Sequence, residues 1–361
     1  MMRSLASSIL ALAGARRGPL ALGLALLVSS PALAQKAAPN APPASPAKSP
    51  FGSVEPVSPA TLPLPTSDPS PAQITTGGTS PSEPDIAFGA YQRGYYGTAM
   101  REAMKRVEAD SKDAAAMTLV AEIFKDGLGV RQSAAEAARW YKLASNLGDR
   151  QATFSLGLAL LQGDGVKKDK FAAKALFEKA AAQGHAGALY NLGILAIDGD
   201  IQDYGKAASY FQSAADAGDA DAAFALSSLY HAGKGVPQDA KIAADWMRRA
   251  ADDRNTGAQV EYGIALFNGD GVEKDEAAAA RYFLKAAASN NPVAQNRAAR
   301  LYAAGRGVPK NMVEAMKWHL LARSAGVKDD WLDQQLNSLS PREREAVSDA
   351  VRRYAGKFAA K

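Results

Sequence analysis

Residues 152–184 read ATFSLGLALLQGDGVKKDKFAAKALFEKAAAQG, and the Gly-x-Gly-Val element inside this stretch recurs along the chain. Five nearly equal intervals of 36, 36, 34, 36 and 36 residues separate the copies, which indicates internal repeats. The third copy lacks the second glycine and the valine. The copies begin at Gly127, Gly163, Gly199, Gly233, Gly269 and Gly305.

The residues before each motif glycine predict an amphipathic helix, helix A. Positions eleven, seven and three before the glycine are small or apolar, as in Ala152, Leu156 and Leu160 of the second repeat. Spacing of about four places them on one helix face. Six before the glycine, small side chains predict close approach of a neighbouring helix. They are Ala121, Gly157, Gly193, Ser227, Gly263 and Ala299.

A second helix, helix B, is predicted after each glycine. We expect its large residues to form the core against helix A: Trp140, Leu176, Tyr210, Trp246, Tyr282 and Trp318. Helix B should end in a left-handed residue at Gly148, Gly184, Gly218, Arg254, Asn290 and Gly326. Arginine fits that geometry poorly, so we expect a distorted turn at Arg254. Two short helices cannot bury their apolar faces alone, so stacking must supply the core.

These residues resemble the Sel1-like repeat family, which is related to tetratricopeptide repeats. The family pattern, A-x-x-x-L-G-x-x-Y-x-x-G-x-G-V-x-x-D, is met closely by residues 152–184 and 258–287, and the resemblance covers about residues 114–326. It implies an all-α fold, a right-handed α-solenoid of stacked helix-turn-helix repeats. Residues 85–110 resemble a shorter tetratricopeptide-type pair, which extends the predicted solenoid to 85–326.

The C-terminal segment, 327–361, should close the last repeat with capping helices. Ser340, Pro341 and Glu343 combine an N-cap, a proline at the first helical position and a capping-box acid. The helix that follows carries Val347 and Tyr354 on its apolar side.

Residues 1–34 have the layout of a secretory signal peptide. Arginines without acids precede an apolar run at 20–28 and the small-residue pattern Ala32-Leu33-Ala34. We expect cleavage after Ala34, a periplasmic or secreted protein, and no membrane span after cleavage. An uncleaved anchor is the alternative, but the run is about half of the ~20 residues that span a bilayer. Arg16-Arg17 leaves the choice between Sec and twin-arginine export open.

Residues 35–84 predict a disordered spacer rich in Pro, Ala and Ser. This segment holds 13 of the 19 prolines and too few apolar side chains to offset the entropy of ordering. A proline-rich docking ligand is the functional alternative.

Composition excludes several functions. The chain of 361 residues is 47% hydrophobic, with no cysteine and only three histidines, none at metal-ligand spacing. We therefore expect no enzyme, no cofactor and no metal site. Residues 1–34 supply +3 of the net charge of +5, so a nucleic-acid partner is not expected either.

Helix A carries a second stripe, which we call the groove stripe, nine, five and two residues before the motif glycine. It is largely apolar in repeats two to five, whereas the end repeats carry polar residues there. In the tetratricopeptide resemblance it faces a concave groove. A helix apolar on both sides is either fully buried or presents a binding surface. Tight curling or a folded-back C-terminal segment would cover the stripe. The predicted partner-binding residues are Phe154, Leu158, Leu161, Tyr190, Ile194, Ile197, Phe224, His231, Ile264, Phe267, Asn296 and Arg300.

The resemblance implies a binding role, with no particular ligand attached. The leading hypothesis is a non-catalytic scaffold or regulator of the bacterial cell envelope that binds a protein or peptide in the groove. The alternative is a carbohydrate- or peptidoglycan-binding accessory protein, with Tyr190 and Phe224 stacked on sugar rings. An enzyme with an unrecognised site is the third. We expect Phe154, Tyr190 and Phe224 to anchor the partner and to contribute little to folding.

Overall fold

A computed structural model describes residues 85–199 and 202–359. The predicted signal peptide and spacer lie outside the described residues. The described part is helical without strands, as predicted, and divides into two compact units, residues up to 188 and residues from 189 onward.

The first unit consists of stacked helix pairs. Its helices are α1 (Ile86–Gln92), α2 (Tyr96–Ala109), α3 (Ala114–Asp126), α4 (Ala134–Asn146), α5 (Arg150–Gln162) and α6 (Lys170–Ala182). Helices α1 and α2 form the expected N-terminal pair. Helix α7 (Ala186–Ile197) crosses the boundary between the units.

The second unit continues the same alternation and ends in two capping helices. Its helices are α8 (Tyr204–Asp216), α9 (Ala220–Ala232), α10 (Ala240–Asp252), α11 (Thr256–Asn268), α12 (Glu276–Ala288), α13 (Pro292–Ala304), α14 (Met312–Ser324), α15 (Asp330–Asn337) and α16 (Pro341–Ala359).

Polar side chains start the repeat helices. Each accepts a hydrogen bond from the backbone N–H three residues later, which satisfies an amide that the helix itself cannot bond. Helix A is capped by Asp113, Asp149, His185, Asp219, Asn255 and Asn291. Helix B is capped by Ser133, Asp169, Asp203, Asp239, Asp275 and Asn311. The aspartate of the repeat pattern is therefore the N-cap of helix B.

His185 is the one histidine among these caps, and its surroundings predict that the stability of the protein depends on pH. Its Nδ1 accepts from the Ala188 N–H at 3.2 Å, and its ring stacks on Phe154 with centroids 4.2 Å apart. Burial, followed by the positive charge of Arg150, lowers the pKa of the imidazole. The folded state therefore resists protonation, and stability should fall as pH drops below the unfolded pKa of about 6.5.

We expect His185→Asn to flatten this pH dependence, because asparagine keeps an acceptor at the cap and does not titrate. Urea denaturation at pH 7.5 and 5.5 measures the effect as the difference between wild type and variant. An equal loss of stability in both proteins would contradict the assignment.

The first face of helix A forms the core, as predicted. Its alanines eleven residues before the motif glycine are at most 1% exposed in all six repeats, and the residues seven before the glycine are also buried. Three before the glycine, Ala196, Tyr230 and Tyr302 are only half-buried.

In three of the six repeats, the core residue of helix B lies one residue further along than predicted. The tryptophans of the predicted row are buried, but Leu176, Tyr210 and Tyr282 are only half-buried. The next residues, Phe177, Phe211 and Phe283, are at most 2% exposed. A Cβ on Gly157, Gly193 or Gly263 would lie 2.7, 2.5 or 2.9 Å from the Cε1 of Phe177, Phe211 or Phe283, respectively. The small position of helix A thus makes room for an aromatic ring.

The second motif glycine packs against the preceding repeat. Gly271 has φ +70°, and a Cβ there would lie 2.2 Å from the carbonyl oxygen of Ala240, the first residue of α10. Gly165, Gly235 and Gly307 approach the first residue of helix B in their preceding repeats in the same way. The motif is therefore both a left-handed turn and a contact between repeats.

The expectation of a distorted turn at Arg254 is wrong. Arg254 adopts φ +67°, close to the left-handed glycines at the other helix B ends. The Asn255 N–H donates to the Ala250 carbonyl at 2.9 Å, as the His185 N–H does to Ala180 at 3.1 Å. The hydrogen bonds of the turn thus hold a non-glycine residue in the same geometry.

The C-terminal helix caps the second unit, as predicted. Ser340 and Glu343 form the capping box, in which the Ser340 N–H donates to Glu343 Oε2 at 2.8 Å. Val347 is 2% exposed, and the ring of Tyr354 packs edge-on against Trp318 at 5.1 Å. This helix therefore covers the apolar face of the last repeat.

Candidate functional site

The groove stripe of the first unit is half-buried. Phe154, Leu158 and Leu161 all keep some exposure, but the Phe154 ring is held between two others. Its centroid lies 5.8 Å from that of Phe177 and 4.2 Å from that of His185. Phe154 therefore stabilises the junction between α5 and the start of α7.

The stripe of the second unit is covered in its first part. Phe224 is 9% exposed and belongs to the core, and the ring of Tyr190 packs on Phe211 at 5.7 Å. Ile194 and Ile197 are half-buried, and His231 is exposed. These contacts argue against the expectation that Phe154, Tyr190 and Phe224 contribute little to folding, since each ring packs within the repeats.

The stripe opens into a pocket at the C-terminal end of the repeats. The cavity has a volume of about 390 Å³. It contains three of the predicted residues, Ile264, Phe267 and Arg300. The rest of its lining is Phe283, Arg297, Leu301, Ala304, Arg306 and Trp331.

Arg306 forms one side of the pocket. Its guanidinium lies 4.1 Å from the ring centroid of Phe267, a cation-π contact. The same group donates from Nε to Glu276 Oε2 at 3.2 Å and from Nη2 to Glu276 Oε1 at 2.5 Å. Two contacts from different directions hold the side chain in place.

Arg300 forms an ion pair with Asp329, which precedes the C-terminal capping helix α15. Its Nε and Nη2 donate to the carboxylate of Asp329 at 2.6 and 2.9 Å, and Asn296 Nδ2 donates to Asp329 Oδ2 at 2.7 Å. Burial of Asp329 opposes ionisation, but hydrogen bonds from Arg300, Asn296 and the Leu332 amide outweigh it, so the pKa of Asp329 is lowered. Asn296 and Arg300, predicted as groove residues, thus anchor α15.

That anchor completes the pocket. Asp329 is the N-cap of α15, and Trp331 follows it with 42% of its surface exposed. The guanidinium of Arg300 lies 5.6 Å from the Trp331 ring centroid. The capping helix therefore supplies an aromatic wall as well as covering the last repeat.

Arg297 is the third arginine and is exposed on α13. Burial raises the pKa of the Glu261 carboxyl, and the charges of His231 and Arg297 offset only part of that rise. Arg300 and Arg306 differ from Arg297, because each forms two hydrogen bonds with one carboxylate.

Comparison with known proteins gives the family of the repeats. A family model described as Sel1 repeat matches residues 114–149, 150–185, 186–219, 220–255, 256–291 and 292–327. The chain belongs to the Sel1 repeat family. The resemblance predicted over residues 114–326 is confirmed, including the 34-residue third repeat.

Solved Sel1-repeat structures share the fold. A Sel1 repeat protein from Oxalobacter formigenes is 30% identical with a TM-score of 0.61, and the match covers 66% of this chain and 98% of that one. The antigen c5321 of uropathogenic Escherichia coli, described as a protective antigen with an SLR fold, is 26% identical with a TM-score of 0.62. That match covers 76% of this chain and 62% of the antigen, so the chain spans less than two thirds of its length. A search of curated proteins found no match.

Six of the nine pocket residues lie outside the predicted groove residues, and three of these six are charged or exposed aromatic side chains. Arg297 lies eight residues before the motif glycine and outside the stripe, Arg306 lies between the two motif glycines, and Trp331 lies beyond the last repeat. The available signal was the concentration of three arginines between residues 297 and 306 of the sixth Sel1 repeat.

Among the residues that the structure describes, no group of three or more His, Asp or Glu side chains could hold a metal ion. Within 85–199 and 202–359, no helix is long and apolar enough to cross a membrane.

Proposed function

We propose that this Sel1-repeat scaffold binds a protein or peptide partner of the bacterial cell envelope through the pocket at the C-terminal end of its groove stripe. The observation that supports this function is the pocket itself, where the half-buried Ile264 and Phe267 and three exposed arginines line one cavity. Elsewhere the aromatic side chains of the stripe pack within the repeats. Protein partners are also what Sel1 repeats suggest.

The envelope location rests on the signal-peptide pattern of residues 1–34. We propose export, cleavage after Ala34 and release into the periplasm or medium. N-terminal sequencing of the mature protein should begin at Gln35. A first residue at Met1 would contradict export by this signal.

Site-specific photocrosslinking in cells tests the binding function. A benzoylphenylalanine in place of Trp331 should give adducts with a defined protein, because this ring lies at the pocket and is accessible. Phe171 is the matched control: it is 88% exposed and does not line the pocket. Adducts of equal pattern at both positions, or none at Trp331, would overturn the proposal. An adduct with a glycan would favour the carbohydrate-binding alternative.

A further inference from the structure

We infer that the pocket formed by α11, α12, α13, the turn after α13 and α15 binds a peptide segment in which a carboxylate side chain neighbours a large apolar one. This assignment rests on the proposed function and names the chemistry of the partner at that site.

The cationic side of the pocket is built for a carboxylate. Arg300 and Arg306 each use Nε and one Nη2 hydrogen for their own carboxylate partners. A guanidinium has five N–H donors, so the Nη1 end of each remains to donate to a ligand. The contacts with Trp331 and Phe267 keep these groups in position. A ligand carboxylate would therefore meet donors that are already ordered, which lowers the entropic cost of binding.

Arg297 supplies the charge that is least compensated. The carboxylates of Asp329 and Glu276 largely neutralise Arg300 and Arg306, whereas Arg297 forms no ion pair among the described residues. Of the three arginines, Arg297 would therefore attract a ligand carboxylate most strongly. Arg297 is also separate from the contacts that hold α15, so its replacement leaves the pocket wall intact.

The apolar side of the pocket argues for a peptide over a simple anion. Ile264, Phe283 and Leu301 line the cavity together with the ring of Phe267. A phosphate or an acidic sugar would leave the half-buried Ile264 and Phe267 in contact with water, while a large apolar side chain would cover them. A volume of about 390 Å³ falls in the range of pockets that bury small ligands, ~300–1,000 Å³.

Calorimetric titration of the full chain with three capped, unlabelled peptides tests this pairing of charge and apolar surface. The peptides are Gly-Glu-Phe-Glu-Gly, its glutamine counterpart Gly-Gln-Phe-Gln-Gly and its glycine counterpart Gly-Glu-Gly-Glu-Gly. We expect the first to bind at least ~10-fold more tightly than either of the others, since central anchors carry most of the binding energy. Its affinity should weaken as salt is raised.

The matched variants are Arg297→Gln and Arg281→Gln. Arg281 is an exposed arginine of α12 that does not line the pocket. Arg297→Gln should raise the Kd of the first peptide at least ~10-fold, and Arg281→Gln should leave it within about twofold. Acrylamide quenching adds a readout, because peptide binding should shield Trp331.

Four results would overturn the inference. They are equal affinity for all three peptides, an unchanged Kd in Arg297→Gln, no binding at millimolar peptide, and tighter binding of an acidic polysaccharide such as polygalacturonate. Each leaves the crosslinking result at Trp331 standing, so a wrong partner chemistry is distinguishable from a wrong binding function.

Discussion

Gly271→Ala should destabilise the protein by about 3–5 kcal/mol, because the added Cβ would meet backbone atoms of the preceding repeat. Its Cβ would lie 2.2 Å from the Ala240 carbonyl oxygen and 2.6 Å from the carbonyl carbon, and backbone atoms cannot rotate away. The left-handed φ of +70° adds about 1–2 kcal/mol for any residue with a Cβ. Overpacking of this kind costs ~1–3 kcal/mol or more.

Gly218→Ala is the matched control, because it has a left-handed φ of +88° with no atom within 4 Å of the added Cβ. This variant should lose only the stability that a left-handed φ costs a residue with a Cβ, about 1–2 kcal/mol. The equivalent position of the next repeat, Arg254, already carries a side chain at φ +67°. Urea denaturation of the full chain followed by circular dichroism compares the two variants. Equal midpoints would show that the contact with Ala240 is unimportant.

Phe211→Ala should cost about 3–5 kcal/mol, because it empties a fully enclosed site. Tyr210→Ala, one residue away on the same helix, should cost less than half as much, since Tyr210 is half-buried. A larger loss for Tyr210→Ala would restore the core row first predicted from the repeat pattern.

A double-mutant cycle with Gly193 sharpens this test. Gly193→Ala places a Cβ 2.5 Å from Phe211 Cε1 in the wild type. In the Phe211→Ala background this clash is gone, so the cost of Gly193→Ala should shrink. Additive costs would place the two residues in separate packing sites.

The repeat pattern alone does not determine which of two adjacent residues of helix B is buried in each repeat. Neighbouring residues of a helix point ~100° apart, and both rows carry large side chains, so the crossing of the two helices decides which row is enclosed. One internal correlation did carry the information: Gly157, Gly193 and Gly263 share their repeats with Phe177, Phe211 and Phe283. Repeats with alanine or serine at the small position have Tyr141, Met247 and His319 instead.

By itself, the sequence determined the repeat length, the alternation of helices, the first core face of helix A and the capping box at Ser340. These features depend on residues close together in the chain, through helical periodicity and hydrogen bonds between near neighbours. The exposure of the groove stripe depends instead on contacts between repeats. Phe224 and Phe154 are apolar residues at equivalent positions, yet their neighbours bury one and half-bury the other.

Only the tertiary structure brought the pocket together. Arg300 reaches Asp329 across 29 residues, and Arg306 reaches Glu276 across 30. Neither pair has helical spacing, so no local pattern links them. The buried carboxylate of Asp329 holds α15 at the last repeat because an unpaired charge there would be costly. Together with the contacts of His319 and Arg323 to Asp333, the Arg300–Asp329 pair places Trp331 beside Arg300 and forms the pocket at one end of the stripe.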